Sequence, residues 1–526
     1  MSSNAGIAPN ANRLLWAGFM AILAAGVGFS VRGGILGQWA EQFGFTMTEL
    51  GTITGGGLTG FGIVIILASL FADKVGYGKL MVSAFVLHFI SGGLTLATPF
   101  FFASGGKDAA YWCLFVAMFI FAIGNGVCEA VVNPLVATLF PSNKTHYLNI
   151  LHAGWPAGLV LGGLASTFMA ADVDAAGTIV KHAVDWKIQM SLFLIPVIIY
   201  GAMLLGQRFP KSEAASAGVT LGEMIGTVFA PLMLVLLVIH ALVGYVELGT
   251  DSWISKITGA IMASPAAGLK LFVYTSMLMF ALRFVAGPIV HRISPLGLLF
   301  VSACLGATGL LLLGSAATVT ACVVAATVYA CGKTFLWPTM LAVASERFPK
   351  GGAVAIGMIG GVGMLSAGLL GGPAIGFKQD YNASAKLKET APATYDRYKA
   401  DNENSFVGFK TVGLNGAKVG VLEDGGKELD RAGALLAKEN KTDKNQAELA
   451  TWWAAAKPSA EADKKPVQEA GIHGGRRALQ LTAYVPMAMA ALYLLLIIYF
   501  KATGGYKALK VTGEQIAGGV QGPGEG

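Results

Sequence analysis

Charge is scarce in this sequence. Only 13% of its 526 residues are Asp, Glu, Lys or Arg, against about 25% in a soluble domain. Cysteine is also sparse. Cys113, Cys128, Cys304, Cys322 and Cys331 all fall in apolar stretches without metal-ligand spacing, which predicts small core thiols and neither a disulfide framework nor a metal site. No Gly-x-x-x-x-Gly-Lys-Ser/Thr phosphate loop is present, because Thr327 stands where the first glycine before Gly332-Lys-Thr334 is needed. ATP-driven chemistry within this chain therefore has no support. No nucleophile elbow of the Gly-x-Ser-x-Gly kind occurs. Nothing points to an enzyme, and no cofactor is implied.

What replaces charge is apolar length. The chain is 54% hydrophobic with 70 glycines and a mean hydropathy of +0.62, the profile of a polytopic helical membrane protein in which glycine allows helices to approach closely. The net charge of +7 is read loop by loop, not as a nucleic-acid signature. The apolar runs predict twelve spans. Six lie near 14–36, 50–72, 80–103, 111–140, 148–170 and 189–206. Six more lie near 226–248, 267–290, 296–315, 318–345, 353–377 and 479–500. The expected units are a first bundle over 1–206, a polar linker over 207–225, a second bundle over 226–377, an insertion over 378–478, the twelfth helix over 479–501 and a tail over 502–526. Met1 to Asn12 is short and polar, so the first span is expected to serve as the insertion signal. With both termini cytoplasmic, the short cytoplasmic segments hold twelve Lys or Arg and the short outer loops five, the asymmetry the positive-inside rule demands.

The insertion is nearly neutral, with 17 Lys or Arg against 15 Asp or Glu between Lys378 and Arg477. Asn415-Gly416, within 412–419, reads as a hairpin turn. Lys427–Lys438 and Gln446–Lys457 read as helices. The segment is either a lid or partner-binding module, or a loop insertion that costs little. Asn382-Ala-Ser and Asn440-Lys-Thr are glycosylation sequons on its outer side. Val511 to Gly526 is Gly-rich and expected to be disordered.

Ionisable residues inside apolar spans are costly and tend to face a cavity and pair. Here they are Arg32, Glu129, Glu247, Arg283 and Lys333, with Asp251 nearer the outer surface. A carboxylate such as Glu129 either carries a proton or forms a structural ion pair. Arg32 either lines the cavity or snorkels to the outer interface. Gln38 and Asn125 are further polar candidates. Trp337, beside the helix-breaking Pro338, is either a platform on which a sugar ring could stack or an interfacial anchor or core-packing residue. His88 and His240 read as packing residues.

The layout of six spans, a linker and six spans is that of the major facilitator fold, an all-α membrane architecture of two bundles that rock about a central site. Ala72-Asp-Lys-Val-Gly-Tyr-Gly-Lys79 resembles that superfamily's signature between spans 2 and 3. The resemblance implies a gate at Asp73, Lys74 and Lys79, with Arg283 and Arg292 of the related Arg283-Phe-Val-Ala-Gly-Pro-Ile-Val-His-Arg292. Glu129-Ala-Val-Val-Asn-Pro134, Leu148-Asn-Ile-Leu-His-Ala-Gly-Trp-Pro-Ala-Gly158, Gly244-Tyr-Val-Glu-Leu-Gly-Thr-Asp-Ser-Trp253 and Gly332-Lys-Thr-Phe-Leu-Trp-Pro-Thr-Met340 resemble segments of the fucose–galactose–glucose:proton symporter family. That resemblance implies Glu129 as the proton-coupling carboxylate and Asn133, Asn149 and Glu247 as cavity residues. His152 stands where the family has Gln, and Lys333 where it has Asn or Ser; both join the candidate set. Arg32 lies where the family's fucose permease has an Asp. The implied protein takes up a sugar or related small polar solute with protons, in the plasma membrane of a bacterium. Arg32 and Lys333 keep an organic-anion or sugar-acid carrier open, and the insertion keeps open a transporter-like sensor that binds a partner.

Overall fold

The computed structural model describes residues 8–511 apart from 46, 56, 171, 174–178, 182 and 439–442. The Asn440 sequon and the segment 512–526 lie outside the described residues. Eleven of the described helices are long and apolar enough to cross a membrane. The longest, Tyr77–Leu139, breaks at Gly106, which takes a left-handed φ of 69°, and so supplies two crossings. Spans 1 to 6 are Ala11–Phe43, Glu49–Val75, the two halves of Tyr77–Leu139, Lys144–Met169 and Trp186–Leu204. Spans 7 to 12 are Pro231–Ile261, Pro265–Arg283, Ala286–Ser315, Val319–Arg347, Pro349–Thr390 and the end of Lys444–Ala502. Both described ends of the chain meet one face of the bundle. There Asn10 bonds Gln207 and Arg208 after span 6, and Leu509 donates to the Glu346 carbonyl at the end of span 10.

Glycine sets how tightly the spans pack. A Cβ on Gly154 would lie 2.4 Å from the Phe19 carbonyl oxygen, and one on Gly158 2.3 Å from that of Leu23. Only hydrogen fits, so spans 1 and 5 interlock backbone to backbone. Between the halves, span 2 runs along span 11 and span 5 along span 8. The linker helix Leu221–Val228 starts at a capping box in which Thr220 and Glu223 satisfy each other's backbone N–H.

The termini face is sealed across the halves. Thr145 of span 5 donates to Glu346 of span 10 at 3.1 Å, and Lys144 reaches the Ser345 carbonyl at 3.3 Å and Glu213 at 3.4 Å. The tail closes over this seam. The Tyr506 hydroxyl donates to Glu346 at 2.6 Å, and the Val511 N–H reaches Glu213 at 3.4 Å.

On the opposite face the chain between spans 11 and 12 departs from two expectations. Span 11 does not stop near Phe377; it continues as Gly372–Thr390 and packs against Ala460–Thr482, the helix that leads into span 12. The two form a stalk. Asn415-Gly416 is not a hairpin turn either. Asn415 is the N-cap of helix Gly416–Asp424, its Oδ1 accepting from the N–H groups of Ala417 and Lys418, a role Asn fills as readily as a turn. The hairpin lies earlier, pairing Asn404–Phe406 with Phe409–Thr411. Its turn residues Val407 and Gly408 both have positive φ, 49° and 84°, as a tight right-twisting hairpin requires. Helix Lys427–Lys438 forms as expected, and the helix expected over 446–457 runs Lys444–Ala456. They bury Leu429 and Trp453 with Val421 and Ala456 in a small core of their own. A bidentate Arg397–Asp463 pair, with Thr394 also donating to Asp463, ties this segment to the stalk. Arg431 reaches the other half, donating to the carbonyls of Ala40 and Phe45 at 3.2 and 3.4 Å.

Candidate functional site at the helix breaks

Three spans are interrupted beside a charged or polar candidate, and the interruptions are written in the sequence. Proline has no N–H, so the carbonyl four residues before it is left without its helical partner. Pro156 frees the His152 carbonyl in span 5, which breaks at Ala153. Pro338 frees the Thr334 carbonyl in span 10, which breaks after Lys333. Span 7 instead widens into a π-turn, Tyr245–Gly249, which carries Glu247; such turns are frequent at functional sites.

Arg283 gathers these features. Its Nε donates to the Thr334 carbonyl at 2.9 Å, its Nη1 to the His152 carbonyl and its Nη2 to Glu247 Oε1 at 3.1 Å. The side chain is buried and crosses from the second half to the first. The gate implied by the resemblance is therefore not where Arg283 lies; it sits at the centre, while Arg292, Lys74 and Lys79 are exposed. Asp73 lies at the start of span 11, where a Cβ on Gly352 would meet its Oδ2 at 3.1 Å.

Glu129 heads a second chain of contacts in the first half. Asn133 Nδ2 donates to Glu129 Oε2 at 2.6 Å, and Asn133 Oδ1 lies 2.8 Å from His152 Nε2. With Asn133 Nδ2 turned to Glu129, its Oδ1 is left as an acceptor, and His152 Nε2 is the matching donor. Since the His152 carbonyl is held by Arg283, the Glu129 chain and the Glu247 pair meet at one residue. Among the described residues no cation pairs with Glu129, whereas Arg283 pairs with Glu247 and Lys333 with Asp251. Asn149 Nδ2 bonds Thr339 across the halves at 3.2 Å. Trp337 packs against His240 with ring centroids 4.6 Å apart and planes tilted by 57°.

Arg32, Asn125 and Gln38 are not brought to this cluster. Arg32 is 1% exposed and points into the first bundle. There it donates to Ser91 and the Gly28 carbonyl and lies over the rings of Phe121 and Phe193 at 4.0 and 4.8 Å. Asn125 bonds His88 at 3.0 Å in the same interior. Gln38 bonds the Val184 carbonyl near the opposite face.

Sequence reasoning passed over His240. It is fully buried, neither ring nitrogen has a hydrogen-bond partner among the described residues, and Trp337 and Gly363 flank it. A lone histidine on an apolar span gives no signal of this; only the fold brings it to Trp337. Asn149 Oδ1 and Glu247 Oε2 are likewise buried with no hydrogen-bond partner among the described residues. Asp251, nearer the surface by its place in the sequence, joins the cluster through its pair with Lys333.

Two bundles of apolar helices enclosing a shared cluster of charges at broken helices define a polytopic membrane transporter. The chain belongs to the Major Facilitator Superfamily, whose sequence profile matches residues 18–372. Several solved structures share the fold. The fucose:proton symporter FucP of E. coli is 16% identical with a TM-score of 0.55, covering 70% of this chain and 92% of that one. The proton:xylose symporter XylE bound to 6-bromo-6-deoxy-D-glucose is 14% identical with a TM-score of 0.55, covering 72% and 90%. The human organic anion transporter TETRAN is 14% identical with a TM-score of 0.55, covering 73% and 96%. Comparison with curated proteins finds no match.

Proposed function

We propose that this chain is a secondary active transporter that couples a proton, carried by Glu129, to uptake of a neutral polyhydroxylated solute of the sugar class. The observation that carries this reading is the charge balance of the central cluster. Three carboxylates, Glu129, Glu247 and Asp251, face two cations, Arg283 and Lys333, and both cations are already paired. The remaining carboxylate, Glu129, has no cation paired to it among the described residues and accepts a hydrogen bond from the Asn133 amide. A proton restores balance there; an anionic cargo would add to the excess of negative charge. Lys333, which motivated a sugar-acid carrier, is held by Asp251, and Arg32 lies inside one bundle. The unpartnered polar atoms of His240, Asn149 and Glu247, beside the Trp337 ring, suit hydroxyl groups and an apolar sugar face.

The proposed cycle uses the seal on the termini face, read as cytoplasmic in a bacterial inner membrane. With that face closed, a proton reaches Glu129 and solute enters from outside. Neutralising Glu129 removes the penalty for closing the cavity over a bare carboxylate. The halves rock about Arg283, the seal at Thr145 and Glu346 parts, and release occurs inside. A proton moving down about 100 mV supplies ~2.3 kcal/mol, about a fortyfold accumulation.

The test is uptake into proteoliposomes with an imposed inside-alkaline gradient, comparing neutral hexoses with uronates, with Glu129→Gln alongside. Gradient-driven hexose uptake that the variant loses, while keeping counterflow exchange, is the expected result. Uphill uptake retained by Glu129→Gln would remove the coupling role, and uptake of uronates alone would remove the neutral cargo.

A further inference from the structure

The hairpin of Asn404–Phe406 and Phe409–Thr411 is the least covered apolar feature of the segment between spans 11 and 12. Val407 is 76% exposed and Phe409 69% exposed. Val407 also holds a positive φ of 49°, unfavourable for a β-branched residue. A turn facing water would be expected to use Gly or Asn at that position.

The level of the hairpin is set by span 12. Helix Tyr484–Ala502 has 19 residues, about 28 Å at 1.5 Å per residue, close to the thickness of the hydrocarbon core. Tyr484, 65% exposed, therefore marks the boundary away from the termini. Lys378 of span 11 donates to Thr482 at 3.4 Å, which puts Phe377 and Tyr381 at that same boundary. These two aromatic residues lie one turn apart with rings 6.1 Å from each other. They stand seven and eleven residues beyond the exposed Leu370, on about the same lipid-facing side of the helix. Tyr381 is exposed and Phe377 half-buried beside it, and aromatic residues at this depth form the interfacial belt of a membrane protein.

The hairpin descends along that face. At its upper end a Cβ on Gly413 would lie 3.3 Å from Asp380 Cβ. At its lower end the Phe406 ring lies 6.0 Å from that of Phe377. Its polar pair, Lys410 with Glu403 at 2.9 Å, stays at the strands, while Val407 in the turn and Phe409 at the start of the second strand are exposed.

We propose that this hairpin is a bilayer anchor, with Val407 and Phe409 seated in the interfacial layer of the leaflet opposite the termini. The partner is the lipid surface itself. Together with Arg431 on the first half, the anchor holds the segment at both sides. The proposal rests on the membrane-spanning fold and not on the cargo or the coupling ion.

The test is nitroxide depth measurement on the full-length protein in proteoliposomes. Cys304 and Cys331 are replaced by Ser, and a spin label is attached in turn at Val407→Cys, Phe409→Cys and the exposed Lys427→Cys. Collision with molecular oxygen is compared with collision with a water-soluble nickel chelate. Nickel access several-fold lower at Val407 and Phe409 than at Lys427, with oxygen access higher, is the expected result. Nickel access at both hairpin sites equal to that at Lys427 overturns the proposal. Two hairpin reporters keep the test open if one label disturbs the turn.

Discussion

Arg283 donates at 2.9 Å to the carbonyl of Thr334, an oxygen left free because Pro338 comes four residues later. Pro338→Ala would return an N–H to that carbonyl and draw it back into its own helix. A typical hydrogen bond contributes about 1 kcal/mol, so this variant is expected to melt slightly higher while transporting several-fold more slowly. Arg283→Ala should do the opposite to stability. It strands Glu247 as a buried charge without its partner, a loss of about 3–5 kcal/mol. Thermal unfolding in detergent alongside initial uptake rates checks both. Unchanged uptake in Pro338→Ala would mean the freed carbonyl serves no part of the cycle.

Lys333 and Asp251 should behave as a unit. Each single replacement by Ala leaves one buried charge uncompensated, while the double replacement removes both. The double variant is expected to be more stable than either single one. A thermal-shift cycle measures this, and additive losses would show that the pair is not coupled.

His152 holds Asn133 through Nε2, and glutamine can make the same donation. His152→Gln should keep transport within a few-fold of the parent, whereas His152→Leu should lower it by tenfold or more. Leu leaves Asn133 Oδ1 unsatisfied beside Glu129, and a buried unsatisfied group costs about 1–3 kcal/mol. Uptake rates of the two variants, normalised to reconstituted protein, decide. Equal losses in both would point to a titrating imidazole in place of a hydrogen-bond donor.

The tail should act as a clasp on the termini face. Tyr506 and Thr145 share the Glu346 carboxylate from opposite sides of the seam. Tyr506→Phe, or truncation after Thr503, should raise the population open on that face. Thr138 lines the small pocket behind Lys144 and Glu213. A Thr138→Cys reporter should label several-fold faster from that side in either variant. No change in labelling rate would leave the tail without a role in closure.

The repeated membrane crossings of an all-α fold were legible in the sequence because apolar length is a local property. Glu129 and Glu247 stood out for the same reason, as ionisable residues in apolar runs, whereas Asn133 entered only through the resemblance to the symporter family. The partners did not stand out. Lys333 with Asp251 and Arg283 with His152 are separated by 82 and 131 residues, and nothing local in Arg283 distinguishes a gate from a central hub. Arg32 carries the same sequence signal as Arg283, yet its neighbours are the rings of Phe121 and Phe193. Asn415-Gly416 misled because a side-chain oxygen that closes a turn also caps a helix, and the helical residues after Gly416 decide between the two. The Val407 turn was invisible because its conformation is one that valine seldom adopts.

The π-turn of span 7 that carries Glu247 meets a second one, Ala367–Gly371 in span 11. A Cβ on Gly249 would lie 2.7 Å from Gly371 Cα. The same helix runs on to Thr390 as the stalk, a rigid arm of 19 residues, about 28 Å long. Its fulcrum is thus beside the charge cluster. A tilt of about 10° there would sweep the far end of such an arm through about 5 Å, so a rearrangement of one carboxylate's surroundings would be amplified into a displacement readable on the surface.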